Sequence, residues 1–497
     1  METFGSIKGR MATPVRRIGS TIVIYGFGEF LVRAVSLITL PLFTRIFNPW
    51  EYGIVSLVVS VNLVVTTIAQ GGSDTTIARY HARAGDLAEE RTIAKTIMVA
   101  VGLFSVAAAL FLTACVLFRY RGHDADITAP LLVSLASIPP AIQNRLLGQV
   151  LRNRFLSGLY AATNCLYAFV NIGATLALIF LLGLGITGIF AGILIAEAVT
   201  GGIRAFLLRD VWSGGFSRRL LPELIRFGAP LVPFSVCYWI YTSADRAIIN
   251  YFHSTHDAGL FSTATSLASL MAMVLAVVNL AWGPYVMKLH VEDPASARRV
   301  IGQMTSAMVV LFGAITMGLC AIPDLLGLIL GPEFRSATAI VPLLLLAGFV
   351  TAITQVVGSG LLVSGRTKQF AVHGAVAAAI HLAISLLLVP ALSIVGAAIA
   401  AVVSQTYVML ALGRSSQAVE PVTYDVTGLA LAGALVVAFV GWAYLEPAQA
   451  PLALRLVLAT GASAMLALIL APDVLAGTSY ERRLPAWAGL LRRRDPV

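Results

Sequence analysis

The sequence predicts an all-α polytopic membrane fold with about 14 transmembrane helices, and three observations predict it. Of 497 residues, 58% are hydrophobic and 12% charged, against about 25% charged in soluble domains. The mean hydropathy is +0.88. The apolar residues gather into runs of about 20, enough to cross about 30 Å of hydrocarbon as a helix. Lipid offers backbone groups no partners, so spanning segments are helices or a closed barrel. Long runs without strict alternation favour helices.

The spans fall at 18–44, 51–72, 96–118, 127–150, 155–182, 186–208, 224–251, 257–284, 300–322, 336–362, 369–390, 394–413, 425–445 and 451–471. The first follows a basic start (Lys8, Arg10, Arg16, Arg17). It is too long for a signal h-region and lacks a clear cleavage site, so it is expected to stay as the first helix. Between spans two and three, Ser73 to Lys95 carries both signs of charge and reads as a surface helix. Span four contains Pro139-Pro140, which remove two donors and bend a helix. The four cysteines, Cys115, Cys165, Cys237 and Cys320, lie singly in apolar runs and read as small core hydrophobes.

Numbering the connections alternately places 27 of the 34 Lys and Arg on one side and six on the other, with Arg33 inside a span. This asymmetry predicts that both termini are cytoplasmic and that the number of spans is even. The net charge of +10 is then topological and does not point to nucleic acid.

The chain echoes itself. Phe47-Asn48-Pro49-Trp50-Glu51-Tyr52-Gly53 matches Phe252-His253-Ser254-Thr255-His256-Asp257-Ala258-Gly259, one residue longer. Arg79-Tyr80-His81 is matched by Lys288-Leu289-His290, and Ile186-Thr187-Gly188 by Ile394-Val395-Gly396. Nearly constant offsets of 206, 209 and 208 make the three matches stronger than any one. Six is even, so two six-helix halves form a parallel pseudo-repeat. The expected organisation is a basic cytoplasmic N-terminus (1–17), a first half (18–208), a basic cytoplasmic linker (209–223) and a second half (224–413). Two C-terminal helices (414–471) and a basic tail (472–497) follow.

The stretch Leu40 to Gly53, Ser243-Ala244-Asp245-Arg246-Ala247-Ile248-Ile249-Asn250-Tyr251-Phe252 with Gly259-Leu260-Phe261, and Leu151-Arg152-Asn153-Arg154-Phe155 carry a resemblance. They resemble the Wzx-type polysaccharide-biosynthesis flippases of the multidrug/oligosaccharidyl-lipid/polysaccharide exporter superfamily. The resemblance covers most of the chain and weakens in the last two spans. It implies flipping of undecaprenyl-diphosphate-linked oligosaccharide units across the bacterial inner membrane, for surface polysaccharides such as lipopolysaccharide O-antigen or exopolysaccharide. It also implies alternating access between two halves and no resident cofactor. H⁺ or Na⁺ is the implied coupling ion, and a polymerase and chain-length regulator are the implied partners beside bilayer lipid. Physically, arginine presents a donor fork that suits a diphosphate, while the lipid tail stays in the bilayer.

Charged residues inside spans are expensive and functional by default. Glu29 and Arg33, four apart with Glu first, are a self-neutralising pair or a diphosphate contact (Arg33) with its switch or proton site (Glu29). Asp245 and Arg246 are adjacent and point about 100° apart on a helix. Each needs another partner, in a gating or interhalf contact or at a helix end. Arg145 follows the two prolines and is expected at a cavity, or snorkelling to the interface. Glu197, an isolated acid seven residues before Arg204, is expected to pair with it through a third residue and is a candidate for ion coupling. His381 could titrate near neutral pH or pack helices. Asn171, Asn279, Gln355 and Gln405 could bind sugar hydroxyls or pack helices equally well. No metal site is expected.

Three rivals stand beside this reading. One is a peptidoglycan-precursor flippase with the same lipid diphosphate, and another a drug or metabolite exporter of the same superfamily. The third, a membrane glycosyltransferase or polymerase, is disfavoured by short outside loops and by the lack of paired-carboxylate, HExxH, GxSxG or P-loop motifs.

Overall fold

The structure, a computed structural model, describes residues 39–81, 85–120, 125–228, 231–364, 366, 368–445 and 450–481. Glu29, Arg33, the basic start and the run Arg492-Arg493-Arg494 lie outside them. The described residues form helices joined by short turns, and no strand occurs among them.

The first helices are α1 (Pro49–Gln70), α2 (Ser73–His81), α3 (Leu87–Tyr120), α4 (Ala125–Asn153), α5 (Ser157–Phe180) and α6 (Gly185–Leu207). A short 3-10 turn at Val211–Ser213 leads to α7 (Leu221–Gly228), α8 (Leu231–Phe252) and α9 (Thr255–Glu292). Beyond them come α10 (Pro294–Cys320), α11 (Pro323–Ile329), a 3-10 segment (Pro332–Ile340), α12 (Val341–Val357) and α13 (Ser359–Val363). The last are α14 (Lys368–Gln417), α15 (Val426–Leu445) and α16 (Leu452–Glu481).

Ten helical stretches among the described residues are long and apolar enough to cross a membrane. The first expected span falls mainly on residues not described. The fourth and seventh coincide with α4 and α8, which are not among the ten. The eleventh and twelfth share α14, which breaks at Ser393 (φ 49°, ψ −130°). Gly396 makes that break tight: a Cβ there would lie 2.6 Å from the Leu388 carbonyl carbon. Within the span expected at 224–251, the described residues belong to α7 and α8. In the charged stretch after α1, Ser73–His81 forms α2 and the residues from Leu87 belong to α3.

Helix starts follow local chemistry. At α1, Asn48 Oδ1 accepts from the Glu51 N–H and Glu51 Oε2 accepts from the Asn48 N–H, both at 2.9 Å. This capping box, with Pro49 in the first turn, satisfies two otherwise orphaned donors. Gly71 ends the helix at φ 54°, a conformation costly for any residue with a Cβ.

Two compact units are distinguished. The first runs to Ser266 and takes in Leu330–Phe334 and Leu382–Ala397, and the second holds Leu267–Ile329, Arg335–His381 and the chain from Ala398 onward. In the first, the core of α3 and α4 is apolar and fully enclosed, with Ile138, Ile142, Leu146 and Leu151 at 0% exposure. In the second, Phe312 of α10 and Leu345 of α12 are equally enclosed.

Candidate functional site

In the first unit, the two echoing junction motifs touch each other. A Cβ on Gly53 would lie 1.9 Å from the Thr255 carbonyl oxygen, and one on Gly259 would lie 2.0 Å from that of Pro49. Each glycine thus sits on the carbonyl four residues before the other. Backbones approach this closely only where side chains are missing. Beside the pair, Gly331 donates its N–H to Thr44 Oγ1 at 3.1 Å, and the Tyr52 and Phe334 rings meet edge to face at 5.7 Å.

The same unit contains a polar knot. Glu197 on α6 is 9% exposed and Arg204, two turns further along, 4%. Asn144 of α4 bridges them. Its Nδ2 donates to Glu197 Oε2 at 2.7 Å and to Thr200 Oγ1 at 2.9 Å, while its Oδ1 accepts from Arg204 Nη1 at 2.9 Å. The Tyr167 hydroxyl also bonds Glu197. Arg204 donates further to Thr163 Oγ1 at 2.9 Å, to the Asn144 carbonyl at 3.0 Å and to Asn164 Oδ1 at 2.5 Å. Its guanidinium is therefore committed to protein. Arg204, counted with the basic flank of its span, is a core residue. Glu197 is held by the Asn144 amide and the Tyr167 hydroxyl.

One turn from Tyr167, Asn171 lines a cavity of about 220 Å³ with Tyr52, Thr175, Ser266 and Ile193. Ile193 is one turn from Glu197 on α6. The cavity and the knot therefore share two helices.

The other expected residues are placed separately. Arg145 is exposed on α4, with its charge acting on Glu197, Tyr167 and Asp74. Asp245 is 5% exposed and accepts from Ser385 Oγ at 2.9 Å. Arg246 donates to Ser262 Oγ at 3.0 Å and to the Thr242 carbonyl at 3.1 Å. The adjacent pair thus reaches different helices. His381, wholly buried in the second unit, meets Ser404 Oγ at 3.2 Å. Asn279 is half-buried and Gln355 exposed, and neither lines a cavity described here.

The second unit carries a larger groove of about 720 Å³ between α10, α12, α14 and α15. Its walls are Val309, Leu346, Phe349, Val350, Leu429 and Val437, and Arg414, Gln417 and Tyr424 stand toward one end. Burial pushes the Tyr424 hydroxyl up to about 12, so it remains a neutral donor.

The basic turn after α4 is tied down. Arg154 pairs with Asp210 through two nitrogens at 2.8 and 3.1 Å, and its Nε meets Glu90 Oε1 at 2.8 Å. Burial alone would lower the Arg154 pKa, but the bonds to Asp210 and Glu90 carry it above its ordinary value. The Arg154 hydrogen bond holds Asp210 below the usual carboxylate range, with Arg91 adding to the effect.

Sequence reasoning missed Tyr167, Thr163 and Asn164. A signal was present, because Tyr160, Thr163, Asn164, Tyr167 and Asn171 recur at helical spacing and stripe one face of an apolar span.

A family model described as polysaccharide biosynthesis protein matches residues 18–290. No curated protein matches the chain. Among solved structures, a lipid II flippase MurJ in an inward closed conformation is similar with a TM-score of 0.72 at 11% identity, covering 91% of this chain and 100% of that one. A multidrug resistance MATE family transporter of the MOP superfamily, inward-facing, is similar with a TM-score of 0.54 at 16% identity, covering 78% and 94%. At such identities the likeness is one of fold, that of a multi-pass helical membrane protein.

Proposed function

The chain belongs to the polysaccharide biosynthesis protein family, and from that premise we propose that it flips undecaprenyl-diphosphate-linked oligosaccharide units across the bacterial inner membrane for surface polysaccharide assembly. The groove of about 720 Å³ is the observation that carries this reading. An apolar trough with an arginine, a glutamine and a neutral tyrosine toward one end suits a long hydrocarbon tail with an anionic head. A site for a compact organic cation would need acidic groups, and no acid lines this groove.

In this reading the halves 18–208 and 224–413 rock about the reciprocal contact of Gly53 and Gly259, which closes the outer side. Both termini face the cytoplasm. Glu197 is the candidate proton site, reached from the Asn171 cavity through Tyr167. Asp245 and Arg246 hold the conformation, and Arg414, Gln417 and Tyr424 at the end of the groove are candidates for contacts to the head. The protein acts as a carrier, with a polymerase and chain-length regulator downstream.

The likeness to MurJ supports a second reading in which the same lipid diphosphate bears a peptidoglycan precursor. Lipid-linked glycans in a deletion strain decide between them. Oligosaccharide repeat units trapped on the cytoplasmic face, with surface polymer lost, are expected. Trapped peptidoglycan precursor would favour the second reading. Unchanged pools and polymer, with no compensating flippase, would overturn both.

A further inference from the structure

A groove of about 540 Å³ lies in the first unit, remote in sequence from the one assigned to cargo. Its floor is the break between α1 and α2 (Gly71, Ser73, Thr76), one wall is α3 (Ile97, Ala100, Val101, Leu103, Phe104), and the other is Phe216 and α7. The sequence explains the wall supplied by α7. Leu221, Leu224, Ile225 and Gly228 fall on one face of α7 at helical spacing, while Glu223 and Arg226 fall on the other. Gly228 anchors the helix, since a Cβ there would lie 2.5 Å from the Gly71 carbonyl oxygen. Tyr80 donates to Glu223 at 2.9 Å, so the nearest acid on α7 is engaged.

Two further observations indicate what fills the groove. Arg218, Arg219 and Arg226 are exposed on the segment that supplies the Phe216–Ile225 wall. Short amphipathic helices flanked by basic residues lie in the headgroup region and attract anionic lipid. Ser73, 6% exposed and in the groove lining, has a hydroxyl with no hydrogen-bond partner among the described residues. A buried hydroxyl left unpaired is unfavourable, and a lipid ester carbonyl would accept its proton.

We propose that this groove is a binding site for an anionic phospholipid of the surrounding bilayer, one acyl chain lying between α3 and α7 and the phosphate facing Arg218 and Arg219. The chain runs beside about 10 Å of α3, the rise from Ile97 to Phe104. The lipid here belongs to the membrane and is not the cargo, so the site does not depend on which glycan is moved.

The test is native mass spectrometry of the full-length protein, delipidated and then exposed to phosphatidylglycerol, phosphatidylcholine or a polyprenyl phosphate. One tightly held phosphatidylglycerol is expected, with phosphatidylcholine not retained. The Arg218→Gln/Arg219→Gln variant should hold it roughly twenty-five-fold more weakly, since each basic residue near an anionic surface contributes about a factor of five. Ala100→Phe, which fills the groove, should abolish retention while leaving the melting temperature of the lipid-free protein within a few degrees. Equal retention of phosphatidylcholine, undiminished retention by either variant, or retention of polyprenyl phosphate alone would each overturn the proposal. None of these outcomes bears on flipping, which is read separately.

Discussion

Gly259→Ala probes one side of the reciprocal backbone contact joining the two echoing motifs. The added Cβ would sit 2.0 Å from the Pro49 carbonyl oxygen, 2.9 Å from the Gly53 nitrogen and 3.0 Å from the Pro49 carbonyl carbon. Cβ contacts under 3.0 Å are essentially unknown, and all three of these neighbours are backbone atoms that cannot swing away. The α1 and α9 starts must therefore separate by about 1 Å. Overpacking of this kind costs about 1–3 kcal/mol, which shifts a two-state equilibrium by roughly 5- to 150-fold. If the contact closes the outer side, the substitution favours the open state. Ser56, one turn beyond Gly53 on α1 and 7% exposed, is placed to report the change. With the four native cysteines replaced, a Ser56→Cys variant should react slowly with an impermeant maleimide and faster by the same factor once Gly259→Ala is added. Gly173→Ala is the control, because nothing lies within 4 Å of its Cβ. Unchanged labelling at position 56 and unchanged transport in Gly259→Ala would refute the gating argument.

Other consequences are equally direct. Asn144→Leu leaves Glu197 and Arg204 buried without the amide they share, and a melting curve in detergent should show a loss of about 1–3 kcal/mol, the range for a buried polar group deprived of its hydrogen-bond partner. Gly433→Phe enters open space in the larger groove, so it should preserve folding while cutting lipid-linked glycan export at least about tenfold, the effect of roughly 1.4 kcal/mol. Asp210 is held below its unfolded pKa of about 4, so its contribution to stability is full above that pH and is lost as pH falls through the depressed folded value. Asp210→Asn should therefore lower the melting temperature near neutral pH and flatten its fall below about pH 4. An acid limb as steep as that of the parent would assign the loss to other carboxylates.

Much of the architecture was legible because apolar length and charge asymmetry are properties of a linear chain. The capping box at Asn48 and Glu51, the boundary near Ser393 and the glycines of the two echoing motifs are local signals. They could be located without knowing what they touch. The candidate site was less legible. The third group between Glu197 and Arg204 could be anticipated from their spacing, but its identity as Asn144, 53 residues away from Glu197, depends on how α4 packs against α6. Arg204 looked like one of many basic residues at a span end, since sequence position cannot tell a snorkelling arginine from one enclosed by Thr163, Asn164 and Asn144.

By itself the sequence determined an all-helical multi-pass chain and the existence of two matching junctions. These follow from hydrophobic length, backbone hydrogen bonding in lipid and turn chemistry, all local. Only the tertiary structure decided that the two junction glycines lie on each other's backbones and that Arg204 is saturated by protein. It also decided that Asp245 and Arg246 serve different helices, and that the apolar grooves lie where they do. Each of these depends on helix faces meeting across tens or hundreds of residues, and close packing selects those faces only when the whole bundle is assembled.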